Sequence, residues 1–523
     1  YQTTETYRLP SGAIQNPSAS APIKGMSTSS GQWRSIYLTY SAHYAYKGRY
    51  MADFSVRRDG STKFGPDQRW GNFPAVSLRW NISDEPWFKK ALPFVSMLSL
   101  RPGWGVVGKQ PGSEYLFLSR YGNSTGYLGN GGTKPNNIQL KHLKWEEKET
   151  YNLGVDFGFF NDKLTGNVDI YKQMTRDLLI SGWGIPTSSG YSSLNWYNSG
   201  EMSNIGWEFN INGNDIIRAG KFGVDFNITF ANNQNKLKDM DATYLASLTN
   251  EWSGTNGNYM TRVALNRPMG SIYGFRYKGV YQYTEWSAEE VAKVSGPNAP
   301  VAHDENGNVV FDHRGRPIPM TFRYGKNSYE FKGGDAIYDD VNHDGTIDEL
   351  DIVYLGSSLP KITGGFGFKL KFGHFTWNNQ FNFRFGNKII NAARLNAESM
   401  NTVYNQSRAV NWRWRVEGQA DARIPRAVYG SQNYNALGSD RFIEDGSFVR
   451  LNYTQLSYSF PTKWVKKLGL TSLRFDFSAN NLFCLTKYSG ADPEVGYGGW
   501  GVSTDNAQTP RSRSFTAGFN VQF

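Results

Sequence analysis

"YNLGVDFGF", residues 151–159, sets Tyr151, Leu153, Val155, Phe157 and Phe159 on one side of an extended chain and Asn152, Gly154, Asp156 and Gly158 on the other. Successive side chains of a strand point to opposite faces, so this segment is apolar and aromatic on one face and polar on the other. The same period of two runs through "AVSLRWNI" (75–82), "IGWEFNI" (205–211), "VDFNITF" (224–230), "FGFKLKF" (366–372), "FTWNNQFNFRF" (375–385), "LRFDFSA" (473–479) and "FTAGFNVQF" (515–523). Read along the whole chain, it predicts strands at 34–46, 49–57, 73–82, 94–107, 150–159, 163–174, 203–212, 222–231, 361–372, 375–385, 447–460, 471–484 and 514–523. In "FVRLNYTQLSYSF" the phase slips between Tyr453 and Leu456, which predicts a bulge near Thr454–Gln455.

A soluble sandwich alternates too. Two features separate this chain from one. The apolar faces are large and aromatic while the polar faces carry Asn, Asp, Arg and Gly, as lipid outside and a watery lumen inside demand. The connections also alternate in length: Lys47–Gly48, Asn161–Lys163 and Gly373–His374 are tight turns, whereas 108–149, 175–202, 232–360, 386–446 and 485–513 are long and polar. Short turns at one end and long loops at the other predict an all-β chain forming a transmembrane antiparallel β-barrel. Aromatic residues near strand ends, such as Tyr50, Trp80, Tyr151 and Trp377, are expected at the two membrane interfaces.

Composition agrees. The 523 residues include 31 Tyr, 33 Phe, 16 Trp and 56 Gly, and no apolar run of about 18 residues marks a membrane-crossing helix. The chain opens on "YQTTETYRLPSG", with neither Met nor a signal-peptide pattern. A single cysteine, Cys484, excludes a disulfide framework. The net charge of +11 is scattered without a basic run, which argues against nucleic-acid binding. Bacterial single-chain barrels have even strand numbers. Thirteen strands ending at Phe523 on the inner side therefore predict earlier strands, with residues 1–33 as an extracellular loop hanging from one of them and 34–523 as the C-terminal part of the barrel.

"DDVNHDGTIDELD", 339–351, lies in the largest outer segment, 232–360, and spaces its oxygens as a calcium loop does. Asp340, Asn342 and Asp344 supply side-chain oxygens, Gly345 the sharp turn, Thr346 a carbonyl, Asp348 a direct or water-linked contact and Asp351 the closing carboxylate. One structural Ca²⁺ is expected there, stapling a long loop with no core of its own. "GWGVVGKQ" (103–110) nearly spells a phosphate-binding loop, but Gln110 stands where Ser or Thr would hold Mg²⁺ and no helix follows, so it reads as a glycine-kinked strand. "SAEE" (287–290) predicts a capping box opening a helix to about Val294. The six histidines show no metal-ligand spacing, and no nucleophile or acid–base pair marks an enzyme.

"RRDGSTKFG" (57–65), "RWGNFPAVSLRW" (69–80), "LKWEEKETYNLGVDFGFF" (143–160), "NSGEMSNIGWEFNI" (198–211), "YDDVNHDGTIDELD" (338–351), "EDGSFVRLNYTQLSYSFP" (444–461) and "NNLFCLTKYSGADPE" (480–494) together resemble SusC/RagA-type TonB-dependent transporters of Bacteroidetes. The resemblance implies a barrel of about 22 strands with a plugged lumen. These thirteen would be its last, the plug and the TonB-contacting part lying outside this chain. It implies an outer-membrane importer that takes oligosaccharides or oligopeptides from a SusD-like surface lipoprotein acting as a lid, with such pairs forming a dimer. A siderophore or vitamin receptor, and a secreted soluble calcium- and carbohydrate-binding β protein, remain as alternatives.

Overall fold

The computed structural model describes residues 2–6, 23–28, 31–125, 131–249, 252–260, 262–284, 299–430, 434–497 and 501–523. Thirteen strands form one antiparallel sheet in chain order: β1 (Ser35–Tyr46), β2 (Tyr50–Ser61), β3 (Trp70–Asn81), β4 (Val95–Lys109), β5 (Glu146–Phe159), β6 (Leu164–Arg176), β7 (Glu201–Ala219), β8 (Phe222–Asp239), β9 (Ile362–Phe372), β10 (Phe375–Phe385), β11 (Phe448–Ser459), β12 (Ser472–Thr486) and β13 (Ser514–Gln522). Each pairs with its sequence neighbours, the simplest meander. β1 and β13 are the edges of this open sheet. All thirteen predicted strands are present. "GWGVVGKQ" falls at the end of β4, as expected of a glycine-rich strand.

Register converts the alternation into two continuous surfaces. Leu98, Phe157, Gly166, Ile211, Ile228, Phe366, Phe381, Leu451 and Phe483 stand side by side across nine strands. One residue along, Ser99, Asp156, Asn167, Asn210, Thr229, Gly365, Asn382, Arg450 and Cys484 form the row on the opposite face. Cross-strand ring contacts knit the apolar face; Phe366 and Phe381 stack with centroids 4.5 Å apart.

Turn chemistry places the two ends. Lys47 (φ 52°) and Gly48 (φ 67°) both occupy the left-handed region in the three-residue connection between Tyr46 and Tyr50, and Arg49 N donates to Tyr46 O at 3.0 Å. The remaining connections on that side are the turns at 160–163, 220–221 and 373–374 and the short helices Pro86–Ala91 and Thr462–Lys467. All the long connections leave from the other end.

Two expectations change, and one segment gains detail. The bulge in β11 sits at Asn452, since Leu451 and Tyr453 face Phe381 and Gln380, which are consecutive; it precedes the expected Thr454–Gln455 by two residues. Alternation shows that a phase has shifted, whereas the skipped hydrogen bond shows where. Segment 232–360 is not coreless, as described below. Segment 1–33 contains paired strands, Gln2–Thr6 with Ile23–Thr28. The helix expected at 287–294 lies outside the described residues.

Tyr50, Trp80, Tyr151 and Trp377 all lie on the apolar face near strand ends. Tyr50 and Trp80 stack at 6.3 Å, and both donate to Glu85, at 2.6 and 3.3 Å, beside a short connection. Toward the long-loop end, Tyr151 and Trp104 donate to Glu149 at 2.6 and 2.9 Å. Each ring thus has an apolar body on the sheet and a polar atom turned to water-side groups.

Leu78 lies on the apolar face among Val76, Trp104, Leu153, Ile170 and Ile205, while Ser77 points to the polar side. Leu78→Arg should cost about 2–4 kcal/mol of stability if near mid-bilayer, and Ser77→Arg much less. Unfolding of both variants in lipid measures the difference; equal penalties would reverse the face assignment.

Candidate functional site

On the polar face the charges form chains. Arg101 donates to Asp156 at 2.7 and 2.8 Å, Arg79 donates to the same carboxylate at 3.1 Å, and Asp169 accepts from Asn152 and Asn167 at 3.1 and 2.8 Å. Farther round, buried Arg450 pairs with Asp492 (2.6 Å) and Glu494 (2.8 Å), which holds the 487–513 connection against the sheet's polar side. Each of these groups meets an opposite charge or an amide, which offsets the cost of taking it out of water.

The long connections after β8 and β10 fold together into one body. Its core comprises Trp252, Phe275, Tyr281, Phe322, Phe331, Tyr338 and Ile347 from the first, with Leu437 from the second. Trp252 meets Phe275 and Phe322 edge-on at 5.7 and 5.6 Å, and Tyr434 stacks on Phe322 at 4.1 Å.

A polar clamp joins the same two segments. Asp335, fully buried, accepts from Arg426 Nε at 2.7 Å, Tyr329 Oη at 2.6 Å, Asn435 Nδ2 at 3.2 Å and Lys332 N at 2.9 Å. Burial, together with the Asp335 charge, keeps the Tyr329 phenol protonated far above its ordinary range. Below it, Glu398 and Arg441, both buried, pair at 3.0 Å, and Arg394 links Glu398 to Glu444 at 2.9 and 3.0 Å.

Within this body the 340–351 loop is tied down at its centre. Thr346 and Ile347 pair in parallel with Thr321 and Phe322, and Ile347 is fully buried. Gly345 takes φ +79°, the sharp turn that its place in the motif requires. The side-chain oxygens turn onto the loop's own amides. Asp340 accepts from Gly345 N (2.8 Å), Asp344 from Thr346 N (2.8 Å) and Asn342 Nδ2 (2.9 Å), and Asp348 from Leu350 N (2.9 Å). Buried Asp351 accepts from Val341 N (2.8 Å) and Asp348 N (2.9 Å). Burial pushes the Asp351 carboxyl up to about 6 against the pull of those two donors, and raises Asp340 as well. The donors are all oxygen, the chemistry a hard cation takes. Their carboxylates are not gathered, however: among the described residues no three His, Cys, Asp or Glu side chains converge as a metal site.

Beyond this loop, residues 403–429 form an exposed ledge of Val403 (84% exposed), Tyr404, Trp412, Val416 and Tyr429 (78%), interspersed with Arg408, Arg413, Arg415 and Arg423. The Arg423 guanidinium lies over Trp412 at 5.9 Å. Exposed rings among guanidinium groups are the composition favoured at protein-binding surfaces.

A family described as "TonB dependent receptor-like, beta-barrel" matches residues 1–297. The chain belongs to this TonB-dependent receptor family. It is 30% identical over 488 residues to TonB-dependent receptor P39 of Formosa agariphila, covering 92% of this chain and 45% of that protein. Against TonB-dependent receptor SusC of Bacteroides thetaiotaomicron it is 28% identical over 502 residues, 92% of this chain and 43% of that one. The chain therefore spans less than half the length of these relatives. Among solved structures, that of the RagAB peptide transporter superposes with a TM-score of 0.73 at 20% identity, over 98% of this chain and 50% of that one.

The thirteen-stranded sheet is thus a portion of a TonB-dependent receptor barrel in the outer membrane, its apolar face toward lipid and its polar face toward the lumen. The family is one of transporters and not of enzymes. In this receptor the six residues of the calcium-type motif share one loop. The clamp and the ledge went unread in the sequence. The ledge's signal was available in "NWRWRVEGQADARIPRAVYG" (411–430), where aromatic and basic residues crowd a connection that needs neither for strand formation.

Arg426→Ala strands the buried Asp335 charge and should loosen the loop body by about 3 kcal/mol. Hydrogen exchange at 252–284 and 320–338 should accelerate while β5–β10 keep wild-type protection. Unchanged exchange in the loop body would remove the clamp's role.

Proposed function

We propose that this chain forms the C-terminal barrel portion of an outer-membrane nutrient importer whose outer loop body seats a SusD-like surface lipoprotein as a lid. The ledge at 403–429 carries this reading: a loop body with its own aromatic core presents exposed rings and guanidinium groups away from lipid, the composition of a protein-binding hot spot. TonB acts through receptor segments outside this chain. The cargo is an oligosaccharide or oligopeptide. Polar rows such as Ser99, Asp156, Asn167, Asn210 and Asn382 offer hydrogen bonds along the lumen, and a recess of about 450 Å³ bordered by Asn256, Tyr259, Asn396, Thr504 and Asn506 suits hydroxyl or amide groups. The fold shared with the RagAB peptide transporter favours the oligopeptide class.

In the full-length receptor, Trp412→Ala and Tyr429→Ala should each weaken lid binding by about 2 kcal/mol or more, with heat-shifted gel mobility of the barrel unchanged. Co-purification of the lipoprotein at wild-type yield from the double variant would move the lid elsewhere.

The 340–351 loop is proposed to take one Ca²⁺ through Asp340, Asn342, Asp344, the Thr346 carbonyl and Asp351, with Asp348 close by or water-linked. The twelve-residue spacing and the all-oxygen donor set support it. Calcium should protect 330–360 from protease, with half-effect at about 10⁻⁴–10⁻³ M, and Asp344→Ala should abolish that protection. A cleavage pattern identical in Ca²⁺ and in EDTA would reduce the loop to a polar turn.

A further inference from the structure

A second recess, also of about 450 Å³, opens in the loop body where three pieces of chain meet: the folded-back segment 301–320, the paired strands Tyr277–Val280 and Ala336–Tyr338, and the start of the 340–351 loop. They are seated closely. A Cβ on Gly345 would meet Ala302 Cβ at 3.0 Å, and His343 Nδ1 donates to His303 O at 3.1 Å. Val301, Met320, Ile337 and the Tyr338 ring, all buried, form an apolar wall. Asp304, Glu305, Asp339 and Asp340 bring four carboxylates to the same space, against the one ammonium of Lys278.

The protein does not satisfy all of these groups itself. Lys278 spends its charge on Asp339, at 3.5 Å, and Glu305 is exposed with no ion pair among the described residues. Tyr281 is only 3% exposed and lines the recess, yet its hydroxyl bonds to no group among the described residues. That oxygen is not sealed in the core either, so it is turned to the recess. Burial, with Asp335 and Asp340 nearby, keeps the phenol protonated and able to donate. Taking such a donor out of water without an acceptor is costly.

We propose that this recess binds a lysine or arginine side chain of an oligopeptide, together with a carbonyl of its backbone. The inference rests on the reading of the cargo as an oligopeptide. Four carboxylates repel an anion, and a neutral ligand would leave their loss of water uncompensated. A bare metal ion would gain nothing from the apolar wall. A basic side chain answers both features, its hydrocarbon stem against Val301, Met320 and Ile337 and its charged head among the carboxylates. That head offers the Tyr281 hydroxyl no acceptor, whereas the peptide carbonyl beside it does. The volume lies in the range of small-ligand pockets, enough for the side chain and its flanking backbone. Asp304, Glu305 and Asp339 stand outside the calcium-type set, so the recess keeps its charge when a cation takes Asp340.

The test measures binding to the full-length receptor in detergent by calorimetry. The probes are a pentapeptide with arginine between alanines and the same peptide with citrulline, which keeps the shape and loses the charge. The arginine peptide should bind about tenfold more tightly. Glu305→Gln and Asp339→Asn together should abolish that preference and leave the citrulline peptide's affinity unchanged. Tyr281→Phe should weaken both peptides about fivefold. A purely structural role predicts no such loss, because that hydroxyl has no partner within the described protein. Equal affinity for the two peptides, or a preference that survives the double variant, would overturn the inference and leave the oligopeptide reading standing. Binding of neither peptide would count against the oligopeptide cargo and overturn this site with it. If the double variant then also lost the lipoprotein, the recess would hold a basic residue of the lid. Heat-shifted gel mobility confirms that each variant is folded.

Discussion

Hydrocarbon offers a peptide group no hydrogen-bond partner, so each strand that crosses it must be satisfied by its neighbours along its whole length. The antiparallel meander of β1–β13 meets that demand with the shortest possible connections on one side. Much else follows from it. Register must be continuous, so apolar and polar residues line up in rows across nine strands, and one shifted strand would put an Asn row into lipid. Where β11 carries its extra residue at Asn452, the pairing resumes in phase, keeping Leu456 and Tyr458 on the same face as Leu451. The ladder ends on both sides at strands whose outer edges are unpaired among the described residues. An edge of that kind is not tolerated in lipid, so this sheet closes only with further strands.

The outer loops obey different rules, because water can satisfy their backbone. They need a reason to be ordered, and two are present. Aromatic burial around Trp252, Phe275, Phe322 and Tyr338 supplies the non-directional part. Buried charges supply the directional part: Asp335 with Arg426, and Glu398 with Arg441, join segments some ninety and forty residues apart in sequence. Such pairs fix one arrangement, since an alternative packing would leave a carboxylate unpaired in the core. The loop body can then offer the ledge at 403–429 as a surface of fixed shape.

Charge is used at two levels. Within the lumen, arginines and carboxylates neutralise one another. In the loop body they lock segments together.

The alternation of "YNLGVDFGF" and its counterparts was enough to give the thirteen strands, their inward and outward faces and the side on which the long loops lie, because each depends on local period and turn residues alone. The spacing from Asp340 to Asp351 was equally legible, being a pattern within twelve residues. The loop body was not. Its aromatic residues follow no period, and a core built from 252–352 and 434–437 exists only once β8–β9 and β10–β11 bring those connections above the same strands. The Asp335–Arg426 and Glu398–Arg441 pairs are likewise contacts between distant segments. No local spacing encodes them, and three-dimensional packing alone decides them.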